Sequence, residues 1–172
     1  MEKNAKNKTR KLVTLSALVA VAMILSYLES LIPPFIAVPG AKIGLSNIAT
    51  VFALYTLGWQ SAIAVSAVRV LLSALLFGNA VALLYSASGA VLALAFMILC
   101  YKLGIFSSVG VSVVGGVFHN AGQVIAAAFV MENAAISIYI APLAVVGTIA
   151  GVAVGVAAGL LVKRLKKYTE NF

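Results

Sequence analysis

Long apolar runs separated by short breaks fill the chain from residue 12 to residue 162. Most runs approach the roughly 20 residues that an α-helix needs to cross the hydrocarbon core of a bilayer. Prolines and glycines, which end helices or permit tight turns, mark most of the breaks. The pattern predicts an all-α integral membrane protein with six transmembrane helices, of which the second is short, at residues 12–32, 43–57, 62–77, 80–101, 109–131 and 138–162.

Composition and charge support this interpretation and assign an orientation. The chain is 63% hydrophobic and only 9% charged, whereas about a quarter of the residues of a soluble domain are charged. Nine of the twelve Lys and Arg residues lie in two basic tails, residues 1–11 and 163–172. The positive-inside rule places both tails in the cytoplasm, where they meet anionic lipid, so we expect no nucleic-acid partner. We expect a multi-pass protein of the cell membrane with one transmembrane domain, residues 12–162.

A polar patch interrupts the fifth predicted helix. His119, Asn120 and Gln123 fall within little more than one helical turn and therefore face one direction. Polar groups inside a membrane usually face the bundle interior. The patch either forms hydrogen bonds between helices, worth about 0.6 kcal/mol each, or lines a cavity. Three polar groups at this spacing favour the cavity.

Cationic side chains mark two further positions. Arg69 lies near the middle of the third predicted helix, so it needs either helix-end carbonyls or a wet cavity beside it. Lys42 and Ser46 share one face at the start of the second predicted helix, where the helix N-terminus favours an anion. The alternative interpretation is that Lys42 only extends its ammonium group to the membrane interface and binds no ligand. Glu29, near the outer end of the first helix, is a candidate partner for Lys42.

A second pattern indicates close helix packing rather than ligand binding. The sixth predicted helix carries glycines at strict four-residue spacing, which lets another backbone approach closely. These helix-packing residues are Gly147, Gly151, Gly155 and Gly159.

The chemistry that the chain lacks argues against an enzyme. There is no Asp, and two of the four Glu lie in the tails, so no paired-carboxylate magnesium site can be assembled. A single cysteine, Cys100, excludes a disulfide framework and a cysteine-based metal site. No phosphate-binding P-loop pattern occurs. We therefore predict no catalytic residue, no metal and no cofactor.

Four segments resemble the Gx transporter family, whose members are often labelled heptaprenyl diphosphate synthase component I. They are 28–33 (LESLIP), 41–48 (AKIGLSNI), 69–78 (RVLLSALLFG) and 118–123 (FHNAGQ). Their order covers nearly all of the six predicted spans. This family is in turn similar to the substrate-binding S components of energy-coupling factor (ECF) vitamin transporters.

The resemblance implies a six-helix binding subunit with an outward-facing site, driven by a cytoplasmic ATPase module and a transmembrane coupling protein. Its ligand would be a small amphipathic or anionic metabolite, such as a vitamin, a flavin, or an isoprenoid or quinone precursor. The loop after the first helix would form a lid, with Pro33, Pro34, Pro39 and Gly40. The expected ligand-binding residues are Lys42, Ser46, Asn47, Arg69, Asn79, His119, Asn120 and Gln123.

Two alternatives remain open at this point. The first is a non-catalytic membrane partner of heptaprenyl diphosphate and quinone synthesis or of flavin electron transfer. Prenyl synthases use aspartate-rich magnesium motifs, so a chain without aspartate would not supply the catalysis itself. The second is a solitary ion- or proton-coupled carrier, in which His119 and Glu132 would titrate.

Overall fold

The computed structural model describes residues 2–31 and 44–169, and all regular structure within them is helical. Among these described residues, five helices are long and apolar enough to cross a membrane. Many large apolar side chains on them are exposed, among them Leu75, Val91 and Ile149, as expected for a surface that faces lipid. The elements are α1 (Glu2–Ser30), α2 (Asn47–Thr56), α3 (Trp59–Phe77), α4 (Ala80–Leu103), α5 (Ser108–Val130), a 3₁₀-helix (Ala134–Tyr139) and α6 (Ile140–Thr169). The predicted all-α multi-pass membrane fold is confirmed.

The second helix is shorter than the sequence predicts. Its ten residues rise about 15 Å, half of the roughly 30 Å hydrocarbon core. Gly44 has a left-handed φ of +86°, and a turn follows it, so α2 begins only at Asn47. Near the other end, the Tyr55 hydroxyl donates to the carbonyl of Phe106 at 3.4 Å. Therefore α2 occupies the half of the bundle that lies near the α4–α5 connection.

The first and last helices extend through much of the basic tails. No proline or glycine occurs between residues 2 and 30, and no proline follows Pro142 in α6, so nothing in these stretches ends the helix. Basic positions that the sequence assigns to separate tails, such as Lys8 and Lys163, are thus part of α1 and α6.

Helix α1 runs parallel to α3. Ser73 Oγ lies 3.5 Å from Met23 Sδ, and one turn further along both helices Tyr27 packs edge-on against Phe77 with ring centres 5.7 Å apart. The start of α1 therefore lies at the end of the bundle where α3 starts.

A seam of glycines joins α6 to α5 in antiparallel orientation. A Cβ atom added to Gly151 would lie 2.6 Å from the Cα of Val113, and one added to Gly155 would lie 2.6 Å from the Cα of Val109. Gly147 and Gly159 continue the seam on either side, against Gly116 and Ser108. Residue numbers rise along α6 as they fall along α5 in these contacts, so the end of α6 lies beside the start of α5.

Both ends of the described chain share one side of the bundle. The Lys102 ammonium, in the last turn of α4, lies 4.9 Å from the centre of the Trp59 ring at the start of α3. The start of α1, the start of α3, the α4–α5 connection and the end of α6 therefore meet at one side, here called the basic end. The opposite side is the outer end. The positive-inside rule places the basic end in the cytoplasm.

Substitution in the glycine seam is expected to destabilise the protein. In Gly151→Val the new side chain meets the α5 backbone, and such overpacking costs about 1–3 kcal/mol. Ala153→Val is the matched control because Ala153 is exposed on the same helix. Thermal unfolding in mild detergent measures both variants, and equal unfolding temperatures would contradict the packing described.

Candidate functional site

Arg69, a residue of α3, is a buried cation whose side chain contacts the start of α2. It lies ten residues after Trp59, hence about 15 Å along α3, and only 6% of it is exposed. Its Nη1 donates a hydrogen bond of 2.7 Å to the Oγ of Ser46, the residue before α2. Within the described part of the chain, its Nε and Nη2 are buried without a hydrogen-bond partner. The guanidinium is therefore only partly satisfied.

Glu29 supplies the opposite charge from α1. It is 5% exposed, and its Oε1 accepts a hydrogen bond from the backbone N–H of Gly44. The carboxylate also interacts electrostatically with the Arg69 guanidinium. Glu29 on α1 and Arg69 on α3 thus place charges of opposite sign near the start of α2. Their attraction lowers the free energy needed to bury each charge.

Asn47 closes the turn whose first residue, Gly44, donates its backbone N–H to Glu29. Its backbone N–H donates to the Gly44 carbonyl at 2.9 Å. Its Nδ2 lies 3.1 Å from the position that a Cβ on Gly44 would take. Any side chain larger than glycine would therefore disturb both the left-handed backbone and this contact.

Two buried hydroxyls, which are not among the residues predicted from sequence, extend this group. Ser26 lies one turn before Glu29 on α1, and Thr50 lies one turn after Ser46 on α2. Both oxygens are buried with no hydrogen-bond partner in residues 2–31 and 44–169. Their i,i+3 and i,i+4 spacing to other polar residues was the available signal. We call Ser26, Glu29, Ser46, Thr50 and Arg69 the polar cluster.

The polar patch of α5 packs against both neighbouring helices. His119, Asn120 and Gln123 are all buried, Gln123 to 1% exposure. Asn120 Nδ2 donates to the carbonyl of Leu143 in α6 at 2.8 Å. A Cβ on Gly89 of α4 would lie 3.0 Å from both His119 Cε1 and Gln123 Cγ. The patch therefore contributes to helix contacts, whichever further role it has.

Glycines that are not among the helix-packing residues predicted from sequence also bring α4 and α5 together. A Cβ on Gly122 would lie 2.6 Å from the Ser88 carbonyl oxygen and 2.9 Å from the Gly89 Cα. An isolated glycine within a helix pattern is the signal that marks such a close approach.

The other predicted ligand-binding residue, Asn79, and the predicted residues of the loop after α1 stay predictions. Asn79 is exposed at the start of α4, and its Oδ1 accepts a hydrogen bond of 2.8 Å from the backbone N–H of Ala82 as a helix cap. Lys42 and the predicted lid residues Pro33, Pro34, Pro39 and Gly40 lie outside the described residues.

Two apolar grooves lie on the described surface. One, of about 310 Å³, separates α3 from α4. The other, of about 470 Å³, lies at the outer end between α5, the 3₁₀-helix and α6. Glu132, which has a left-handed φ of +48°, is its charged lining residue. Neither groove is lined by His119, Asn120, Gln123 or Arg69.

Side chains of the types that ligate metals are few in the described part of the chain. Residues 2–31 and 44–169 bring no three His, Cys, Asp or Glu side chains together in a metal-binding group. The polar cluster contains one carboxylate, Glu29, beside three hydroxyls and the Arg69 guanidinium, and a guanidinium repels a cation.

Comparisons with known proteins agree with this architecture. Residues 18–161 match the family described as heptaprenyl diphosphate synthase component I. The fold is similar to that of a solved S component of a bacterial ECF transporter, with a TM-score of 0.58 and 22% sequence identity over 94% of this chain and 98% of that one. No curated protein matches the sequence. The bundle is thus S-component-like in fold.

Ser46→Ala tests the contact between Arg69 and α2. It leaves a further buried guanidinium donor without its acceptor, which costs about 1–3 kcal/mol. Thr148→Ala is the control, because Thr148 is exposed and its hydroxyl bonds only within its own helix. We expect a lower unfolding temperature in detergent for Ser46→Ala alone, and equal effects of the two substitutions would contradict the assigned contact.

Proposed function

Since the chain belongs to the heptaprenyl diphosphate synthase component I family, we propose that it is a membrane-embedded substrate-binding subunit for the uptake of a small molecule. The S-component-like fold supports this proposal. The single observation that carries it is Arg69, whose buried Nε and Nη2 find no acceptor among the described residues. Intramembrane ionisable groups of this kind mark ligand or ion pathways by default.

Because α2 spans only half of the membrane, the proposed site opens toward the outer end of the bundle. This helix occupies the half of the bundle near the basic end, and Arg69 contacts its opposite end through Ser46. A ligand arriving from the outer end would reach Arg69 without passing α2. In this proposal Lys42, with the loop that carries Pro33, Pro34, Pro39 and Gly40, covers the ligand from outside.

The α5 patch has a divided role in the proposal. Asn120 ties α5 to α6 through the Leu143 carbonyl. His119 and Gln123 lie against Gly89 on the α4 side. We assign these two to the wall of the ligand site, with Asn47 near its polar end, and give Asn79 only its capping role.

Energy for uptake would come from partner proteins. The chain has no P-loop pattern, so it would depend on a cytoplasmic ATPase module and a transmembrane coupling protein. The comparison structure is described as part of an ECF transporter, which supports such a partnership. The ligand would be a small amphipathic or anionic metabolite, and the role is binding rather than catalysis.

The family's description favours a second candidate. A component of heptaprenyl diphosphate synthesis would bind a synthase subunit in the membrane. Without any aspartate, this chain would act there as a non-catalytic partner.

Purification from native membranes in mild detergent separates these candidates. We expect an ATPase pair to co-purify, together with one small molecule that mass spectrometry of the denatured complex identifies. A synthase subunit in place of the ATPases would favour the second candidate. Uptake into liposomes that contain this chain alone would contradict both and favour a solitary carrier that uses His119 and Glu132.

Lys42→Ala tests the proposed outer contact. We expect weaker binding of the co-purified ligand with an unchanged unfolding temperature of the empty protein, because in this proposal the Lys42 ammonium contacts the ligand. Lys163→Ala, at the exposed basic end, is the matched control. Unchanged ligand affinity of Lys42→Ala in calorimetry would remove Lys42 from the site.

A further inference from the structure

The atoms of Arg69 that lack acceptors form one edge of the guanidinium. In this planar group the Nε–H and one N–H of Nη2 point the same way, and together they match the two oxygens of a carboxylate or phosphate. Arg69 donates to Ser46 through Nη1, the other terminal nitrogen. The bidentate edge is therefore the part left without a partner among the described residues.

Ser46 fixes the direction of this edge. Its hydroxyl is fully buried and holds Nη1 at 2.7 Å, so the guanidinium has little freedom to rotate. A preorganised donor pair loses less entropy when an oxyanion binds than a flexible lysine would.

We propose that the Nε–Nη2 edge of Arg69 binds a carboxylate of the transported molecule. This inference rests on the proposed function and names its substrate class, an otherwise weakly charged compound with one carboxylate. The carboxylate forms two parallel hydrogen bonds to Arg69, while Ser46 positions the guanidinium from its other side.

Glu29 selects a carboxylate over a phosphate. Its negative charge acts on the same guanidinium from α1. Because Glu29 already balances the single positive charge of Arg69, each further negative charge buried beside them is uncompensated, and burying uncompensated charge is costly. A phosphate monoester carries about −1.5 to −2 charges at pH 7, so it is disfavoured relative to a carboxylate with one.

An NMR titration observes the edge directly. The chain has three arginines, and Arg10 and Arg164 are exposed, so the double variant Arg10→Lys, Arg164→Lys leaves one Nε signal. The probes are hexanoate, hexyl phosphate and the neutral control hexanol. We expect hexanoate to shift the Arg69 Nε–H signal downfield and saturably, and hexanol to leave it in place. No shift with hexanoate, or an equal shift with hexanol, overturns the proposal.

Two variants test the chemistry through hexanoate affinity. Arg69→Lys keeps the charge and loses the bidentate edge, so we expect affinity to fall about tenfold; unchanged affinity overturns the proposal. Glu29→Gln should reduce the ratio of hexanoate affinity to hexyl phosphate affinity. Tighter binding of hexyl phosphate to the unsubstituted protein overturns the assignment of a carboxylate. If Arg69→Lys does not fold, the NMR titration decides alone.

Failure of this inference is distinguishable from failure of the proposed function. A co-purified ligand without a carboxylate overturns the inference and leaves a binding subunit in place. Purification with neither ligand nor ATPases removes the proposed function, whereas the hexanoate titration still reports whether Arg69 binds a carboxylate.

Discussion

A guanidinium buried halfway along a membrane helix is the constraint on which the arrangement of α1, α2 and α3 depends. Arg69 receives a hydroxyl acceptor from Ser46 and a compensating charge from Glu29. Glu29 in turn accepts the N–H of Gly44, whose left-handed backbone precedes the late start of α2. A full-length second helix would bring apolar side chains to this level, and the charges would lose the groups that stabilise them.

The other half of the bundle follows a different rule, close contact between backbones. Gly151 and Gly155 of α6 lie against α5, and Gly89 of α4 meets Gly122 of α5. Packing of this kind drives helix association in lipid, where the hydrophobic effect contributes little. One side of the bundle is therefore closely packed through glycine around the α5 patch, while the other holds the buried charges Glu29 and Arg69. This asymmetry is the physical basis for placing a ligand beside Arg69.

Hydrophobic run length predicted the five long helices, because the bilayer fixes the length of an apolar span. It overestimated α2, since the backbone turn at Gly44 does not alter hydrophobicity. The cost of burying charge identified Arg69 from sequence, but its partner Ser46 lies 23 residues away and depends on the tertiary fold. Ser26 and Thr50 escaped notice because a single hydroxyl in a membrane helix is commonplace.

A crystal or cryo-EM structure of the protein purified with its native ligand would show directly whether Arg69 binds that ligand. We expect density for a small molecule at the outer end of α2, with two oxygens within hydrogen-bond distance of Arg69 Nε and Nη2. A structure in which that edge binds the Glu29 carboxylate instead, with protein side chains filling the surrounding space and the ligand bound elsewhere, would contradict it.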